Sequence, residues 1–444
     1  MFYIDREKEL TKELLTKIIN NFVTNKRPRL QLWRDYYEGK HAIMGKSYAD
    51  QTKPCNRIVT NFCKIIADGY DGYICGKPIS YTSNEDITAV QDVINYNDAA
   101  AADSAFLKNG LVYGVAYELQ WIDSAARNRF AQINPLNSFP IFDNSLDSEL
   151  LYFVRWYDAD NLDDSNEIII EVYSAASKKV YKSSGLCGLL EFVTEEAHYF
   201  KDVPVSTFRL NEDEENIFNC IIGLNDAYNE LQSAEIDDFQ EWVDAYLVFT
   251  GADGIAGEDD EDAGAAMRKG RMIFLPENAK GQWLTKSAND TQIVNMLDNI
   301  KQNIFKVSSC PDMADDTFLA QSGTALAYKL VGFENVASGI VAEFKKSIQR
   351  RIELICNVLE VKAEEAAWRD IGINFVRNLP VNLTEIIQLV NALKGTVSSA
   401  TLLSQIPFID DVQKELEAVQ REKESNIALY NFGGPDDDKE DDEA

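Results

Sequence analysis

Apolar residues near the start of the chain recur with the spacing of helices. They stand four positions apart from Leu10 to Phe22, which predicts one helix, and Pro28 opens a second short helix that ends at Gly39. The run 56–74 is apolar with the same spacing and is followed by Gly and Pro. We therefore expect helices to fill most of the chain up to residue 74.

The pattern changes between residues 105 and 210. Short β-like runs such as EIIIEVYS follow one another and are separated by Asn, Asp, Gly and Pro. Together with the helices before them, these runs predict an α+β domain over residues 1–211 with a mostly antiparallel sheet.

Long helical stretches follow, at residues 212–246, 289–308 and 323–366. About 35 residues at ~1.5 Å each would make the first of them a rod of roughly 50 Å. Its predicted apolar stripe contains Ile217, Ile221, Leu224, Tyr228, Leu231, Phe239, Trp242 and Tyr246. Its other face is acidic and includes Glu230, Asp237, Asp238 and Glu241.

A small β module is predicted between the first two rods, at residues 247–288, from the runs AYLVFTG, RMIFLP and GQWLTK. A unit this small cannot bury enough apolar area by itself. We therefore expect part of its apolar surface to pack against a neighbouring subunit, through Val248, Phe249, Ile273, Phe274 and Trp283. Two rods joined by a β tip do not form a compact domain alone, so the chain needs neighbours.

The net charge is −30, from 43 Lys and Arg against 73 Asp and Glu. So acidic a surface repels DNA at long range, which disfavours ordinary tight DNA binding. The final residues, 431–444, are predicted to be a disordered acidic tail. No window approaches the ~20 apolar residues of a membrane span, so we expect no membrane partner and a cytosolic or assembly-bound protein.

The sequence offers little material for catalysis or for a cofactor. His41 and His198 are the only histidines, which disfavours a histidine-built zinc site or triad. The segment GKHAIMGKS at 39–47 has five residues between its glycines, where a phosphate loop needs four, and the acidic run 258–262 lacks the alternation of a calcium loop. We expect no cofactor, no metal and no enzymatic activity.

Several blocks occur in one consistent order along nearly the whole chain. They are YYEGKHAI (36–43), KPCNRIVTNFCKIIADGYDGYICGKPISY (53–81), NGLVYGVAYEL (109–119), INPLNSFPIFD (133–143), DAYNELQSAEIDDFQEWVDAYLVFTG (226–251), NIFKVSSCPDM (303–313), SGTALAYKL (322–330) and FVRNLP (375–380). In these blocks the chain resembles a tailed-bacteriophage portal protein, of the group common in siphophages of Gram-positive hosts.

The resemblance implies a ring of about a dozen subunits around an axial tunnel for double-stranded DNA. It divides the chain into a wing (1–211), two stem helices (212–246 and 289–308) around a clip (247–288), a tunnel loop (309–322), a long wing helix with a returning strand (323–382), a crown (383–430) and the acidic tail (431–444). An acidic lining would keep the duplex centred and mobile, since tight phosphate contacts would act as a brake.

The tunnel loop is the sharpest expectation of the resemblance. It implies that the loop projects into the tunnel, where Asp315, Asp316 and Thr317 face the duplex and Phe318 and Leu319 seat the loop against neighbours. The predicted loop contacts also include Asp312 and Gln321. A polar connection longer than the usual 2–8 residues between helices tends to be functional.

The implied partners are other copies of the chain, double-stranded DNA that passes through the tunnel without sequence readout, the terminase large subunit, a head–tail adaptor protein, and the major capsid and scaffolding proteins. The implied location is the portal vertex of the virion, reached from the host cytoplasm. Two alternatives remain open at this point. One is an acidic hydrolase, a nuclease or glycosidase with two working carboxylates, and the other is a different scaffold protein of the capsid vertex.

Overall fold

The computed structural model describes residues 2–49, 53–159, 167–186, 188–243, 247–250, 272–275, 290–314, 323–361 and 368–378, and beyond these residues 388, 390–403, 406, 412, 415–416 and 418–423. The chain divides into two compact units, Met1–Asn378 and Leu379–Ala444. Both helices and sheets are present, which confirms the α+β class.

The helices of the first unit are α1 (Lys12–Asn21), α2 (Arg27–Tyr37), α3 (Phe62–Ile74), α4 (Thr88–Tyr96), α5 (Ala99–Tyr113), α6 (Ile222–Val243), α7 (Asp290–Val307) and α8 (Gly323–Val361). A π-helical turn, Phe22–Lys26, joins α1 to α2. The second unit contains α9 (Ser399–Leu403). The predicted crown helices are also helical at the described residues 388, 390–393, 412, 415–416 and 418–423.

The strands are β1 (Phe2–Ile4), β2 (Ser80–Thr82), β3 (Val115–Ile122), β4 (Asn128–Ile133), β5 (Ser138–Asp143), β6 (Leu150–Asp158), β7 (Glu167–Tyr173), β8 (Ser177–Ser184), β9 (Glu191–Ala197), β10 (Val205–Arg209), β11 (Leu247–Thr250), β12 (Met272–Leu275) and β13 (Gly372–Asn374).

The sheets of the first domain are mostly antiparallel, as predicted. The largest has six strands in the order β1-β5-β6-β7-β8-β9, of which only the β1–β5 pair is parallel. Strands β10, β3 and β4 form a second, antiparallel sheet, and β13 pairs with β2. Strands β11 and β12 pair in parallel, Leu247 opposite Met272.

The predicted start of the β region at residue 105 is wrong. Residues 105–113 belong to the helix α5, and the strand begins only after Gly114, whose φ of 74° ends the helix in the left-handed region. The helix is buried on nearly all sides, so its apolar residues show no helical period. Gly110 lies so close to the next layer that a Cβ there would stand 2.1 Å from the Phe208 ring.

An aromatic cluster joins α5, β10 and α8 in the core. The rings of Phe106, Phe208 and Phe344 are all fully buried. Their centroids lie 6.1 Å, 5.6 Å and 5.1 Å apart for the pairs 106–208, 106–344 and 208–344. The long helix α8 is thereby packed onto the sheet β10-β3-β4.

A buried ion cluster fixes α8 to the same sheet. Arg351 donates from Nε and Nη2 to the two carboxylate oxygens of Glu118, each at 2.7 Å, and from Nη1 to Asp103 at 2.5 Å. Its guanidinium also lies 4.5 Å from the centroid of the Phe130 ring. Burial raises the pKa of both carboxyls, and the charge of Arg351 opposes this rise.

Candidate functional site

The side of α6 that the protein buries is polar. Asn225, Asn229 and Ser233 are fully buried and Asp237 is 6% exposed, and these four residues stand four positions apart on one line of the helix. We call them the polar ladder. Of the predicted apolar stripe, Ile221 is fully buried, Leu224, Tyr228 and Leu231 are half-buried and Phe239 is 68% exposed.

The polar ladder binds the backbone of residues 53–62, an extended segment that we call the strap. Every second strap residue donates its N–H to one rung of the ladder. The distances are 2.6 Å from Asn56 to Asp237 Oδ1, 3.0 Å from Ile58 to Ser233 Oγ, 2.8 Å from Thr60 to Asn229 Oδ1 and 3.1 Å from Phe62 to Asn225 Oδ1. The rungs are polar because buried N–H groups need acceptors.

The rungs of the ladder face successive strap N–H groups because the helix and the extended strap advance by similar lengths per step. Four helical residues advance ~6.0 Å, whereas two extended residues advance roughly 6.6–6.8 Å. The difference is under ~1 Å per step and adds up to roughly 2 Å over the three steps, a mismatch that the ladder side chains can take up so that all four hydrogen bonds form. The spacing N-x-x-x-N-x-x-x-S-x-x-x-D is visible in the sequence, but a search for apolar periodicity passes over it.

The ladder also holds His41 in place through Asn229, one of its two inner rungs. Asn229 donates from Nδ2 to His41 Nδ1 at 3.2 Å, and His41 Nε2 donates to the carbonyl of Tyr36 at 3.1 Å. Burial lowers the pKa of His41, so the ring stays neutral in this arrangement. The residue connects α2 to α6.

Asp237 is the end of the ladder, and its predicted place on an open acidic face is wrong. Its Oδ2 accepts from Lys46 Nζ at 2.6 Å and from the Tyr48 hydroxyl at 3.3 Å. Burial opposes its charge, but the hydrogen bonds from Lys46 and from Asn56 hold its pKa below the ordinary value. A carboxylate this buried must be paired with a cation or hydrogen-bond donors. Asp237 therefore stabilises the packing of α6 and is not part of an exposed acidic surface.

The remaining residues of the predicted acidic face differ among themselves. Glu230 and Asp238 are exposed on α6. The side chain of Glu241 lies outside the described residues. The exposed acidic surface of α6 is therefore narrower than its sequence indicates.

The start of the predicted tunnel loop is anchored on the second rod. Asp312 pairs with Lys301 of α7 at 2.7 Å and accepts the N–H of Ala314 at 3.1 Å. The hydrogen bond to Asp312 raises the pKa of Lys301. Asp312 therefore orients the beginning of the loop. The other predicted loop residues, Asp315, Asp316, Thr317, Phe318 and Gln321, lie outside the described residues.

The predicted clip residues are placed only in part. Val248 and Phe249 lie in β11, directly opposite Ile273 and Phe274 of β12. Their side-chain surroundings and Trp283 lie outside the described residues. The contacts expected of them with a neighbouring subunit stay a prediction.

The two rods meet around one buried aromatic ring at the end of the strap. Phe62 packs edge-on against Tyr228 of α6 at 5.1 Å and against Phe305 of α7 at 5.8 Å. Further along, α7 leaves apolar side chains in water, with Val294 49% and Met296 56% exposed.

Neither a metal centre nor a membrane helix emerges from the part of the chain that the structure describes. In that part, no three His, Cys, Asp or Glu side chains are grouped so that they could hold a metal ion. Likewise, none of its helices is long and apolar enough to span a membrane.

The family model described as "Phage portal protein, SPP1 Gp6-like" matches residues 16–428. The chain belongs to this family of phage portal proteins. This portal protein is 21% identical to the portal protein of Clostridium phage phiCD119 over 93% of its own length and 96% of the relative's. It is 20% identical to the portal protein of Bacillus phage SPP1 over 92% and 84% of the two chains. The resemblance noted in the sequence blocks is confirmed.

A chain of a solved structure titled "Virion of native gene transfer agent (GTA) particle" is also similar to the portal protein. It is 11% identical, with a TM-score of 0.39 over 76% of this chain and 86% of that one. We draw no conclusion from this overlap. The stretch matched by the family model, by contrast, includes the strap, the polar ladder and all three long helices.

Proposed function

We propose that this portal protein assembles into a ring of about a dozen copies at one vertex of the capsid, and that double-stranded DNA enters and leaves the head through the ring. The role is structural. The terminase large subunit supplies the energy for packaging, a head–tail adaptor protein binds the ring afterwards, and the major capsid and scaffolding proteins surround it. Membership of the portal family supports this proposal.

The apolar surface of the rods is the observation that carries ring assembly. Val294 and Met296 on α7 and Phe239 on α6 are about half or more exposed. Side chains of this size gain ~1.5–3 kcal/mol each when fully buried. Packing against the rods of neighbouring copies covers them, and this places α6 and α7 in the stem of the ring.

The charge supports passage of DNA without tight binding. The net charge of −30 repels a duplex, and Glu230 and Asp238 remain exposed on α6. We assign Asp315 and Asp316 to the tunnel surface, and the clip residues around Phe274 to contacts between copies. In this proposal Asp312 and Lys301 hold the root of the tunnel loop.

The test of ring assembly is to place charges on the exposed apolar positions of α7. Val294→Asp with Met296→Asp should keep the helix content of the wild type but yield single chains in light scattering and no rings in negative-stain images. Thr291→Asp with Asn295→Asp is the matched control, because it adds the same two charges at exposed polar positions of α7 and should still form rings. Normal rings from the double variant would remove these residues from the interface.

A further inference from the structure

The outer edge of the six-stranded sheet is a strand that is paired on one side only. Strand β9 is the last in the sheet and pairs with β8 alone. Across the described parts of the chain, no other element hydrogen bonds to the outward N–H and C=O groups of Glu191–Ala197. An edge of this kind is a template for another strand.

The surroundings of this edge are apolar and open. Leu189 is 91% exposed, Phe192 50%, Val193 46% and Tyr199 66%. Burial differs sharply between the two ends of the sheet, since every residue of β5 is buried and nearly every residue of β9 is exposed. Strand β9 therefore lies away from the core of the protein, and exposed apolar side chains are concentrated beside its unpaired edge.

The last two strands of the sheet carry opposite charges, with lysines on β8 and glutamates on β9. Strand β8 carries Lys178, Lys179 and Lys182, and β9 carries Glu196, Glu195 and Glu191 directly opposite them. The first two pairs have Nζ–carboxylate distances of 2.8 Å and 4.0 Å. Free edges are commonly protected by charged side chains, especially Lys, by Pro or by bulges; β9 contains neither Lys nor Pro, and its charged side chains are all glutamates. Its outer side is acidic and apolar.

We propose that β9 binds an extended basic segment of another protein, which adds a seventh strand to the sheet. This goes beyond the proposed ring and does not depend on it. A second copy of β9 is the wrong occupant, because pairing two such edges brings glutamates together in a chain whose net charge is already −30. A strand with Lys or Arg repeats on the outside the Lys–Glu pairing that β8 provides on the inside.

The existing sheet also indicates the apolar positions of the partner. Phe192 packs edge-on against Tyr181 of β8 at 5.9 Å. An aromatic or β-branched residue opposite Phe192 would extend this stack outward. A bulge interrupts the β8–β9 register beside Val193. We therefore expect the main-chain bonds of the partner to concentrate at residues 194–197, beyond the bulge.

The test uses two short peptides, one alternating Lys with Val or Phe and one with Glu in place of each Lys. The basic peptide should bind the full chain at least about tenfold more tightly than the acidic one, and added salt should weaken it. Its binding should slow hydrogen exchange of the outward-facing amides of residues 191–197, most strongly within 194–197, which a purely electrostatic contact would not do. Glu191→Lys should narrow or reverse the preference between the two peptides, whereas the matched control Glu85→Lys, on an exposed loop, should leave it unchanged.

Three results would overturn the proposal. Equal binding of the two peptides would remove the charge argument, and binding without protection of residues 191–197 would remove the added strand. The third concerns Phe192→Ser, which removes the aromatic ring without changing the charge: if this variant loses ring assembly, the edge is a contact between copies of the chain. Rings of normal size from Phe192→Ser, with weakened binding of the basic peptide, would support the proposal whether or not those rings conduct DNA.

Discussion

Replacing Arg351 by Met should destabilise the fold severely. The side chain is fully buried and is bonded to Glu118 through two donors and to Asp103 through a third. Met retains much of the length of the side chain, so the change removes the charge and the donors with little loss of volume. Two carboxyl groups are then left in the core without a cation.

The magnitude follows from the burial of all three groups. Breaking a buried ion pair by removing one partner costs about 3–5 kcal/mol, because the remaining charge is uncompensated. The fold can limit this cost by protonating the carboxyls. At about pH 7, protonating one carboxyl of ordinary pKa near 4 costs roughly 4 kcal/mol, at ~1.4 kcal/mol per pH unit. The expected loss is therefore about 4 kcal/mol, a large part of the stability of a domain.

The cost should depend on pH with a definite sign. Burial already raises the pKa of Asp103 and Glu118, and Arg351 is the group that opposes the rise. In Arg351→Met both values rise further above those of the unfolded chain. A raised carboxyl pKa means that the folded state binds protons more tightly, so its stability falls as pH increases through the folded value. The penalty should be larger at about pH 8 than at about pH 5.

Urea unfolding at fixed protein concentration measures this penalty, since assembly couples stability to concentration. The control is Arg6→Met, which breaks a pair with Glu149 whose side chains are 66% and 53% exposed and should change little. Combining Arg351→Met with Glu118→Met and Asp103→Leu should restore much of the stability, because an apolar cluster of similar volume replaces the ion cluster. A loss below about 1 kcal/mol, or one that is equal at both pH values, would refute the reasoning.

Two further predictions concern the first rod and the tunnel loop. Asn229→Ala should destabilise the chain by about 1–3 kcal/mol in urea unfolding, because the N–H of Thr60 in the strap loses its acceptor. The control is Glu230→Ala at the exposed neighbouring position, which should leave stability unchanged. Equal losses of stability in the two variants would contradict the proposed role of the polar ladder. Replacing Asp315 and Asp316 by Lys should keep ring assembly but slow packaging in a salt-dependent way, since each added cation can hold a phosphate. Packaging at the wild-type rate in low salt would exclude the loop from the mechanism.

The ends of two of the three long helices could be predicted from the sequence because they are marked locally. The predicted start of the first rod at residue 212 is wrong, since α6 begins only at Ile222, after a 3-10 turn at Asn219–Ile221. The prediction of 289–308 differs from α7 by one residue at each end, and the start of α8 at residue 323 was correct. Helix α5 was missed, because a helix buried on nearly all sides shows no amphipathic period. The ion cluster of Arg351 joins residues more than two hundred positions apart, so no local pattern marks it.

The polar ladder explains why the first rod, α6, leaves apolar side chains exposed. A helix that packs on its own domain normally uses its apolar stripe for that contact. Helix α6 instead uses Asn225, Asn229, Ser233 and Asp237, whose hydrogen bonds to the strap hold it in place. Its aromatic Phe239 is thereby left on the outside, as Val294 and Met296 are on α7. Hydrogen bonds within the chain thus leave apolar surface available for contacts between chains, as a rod that supports a larger assembly requires.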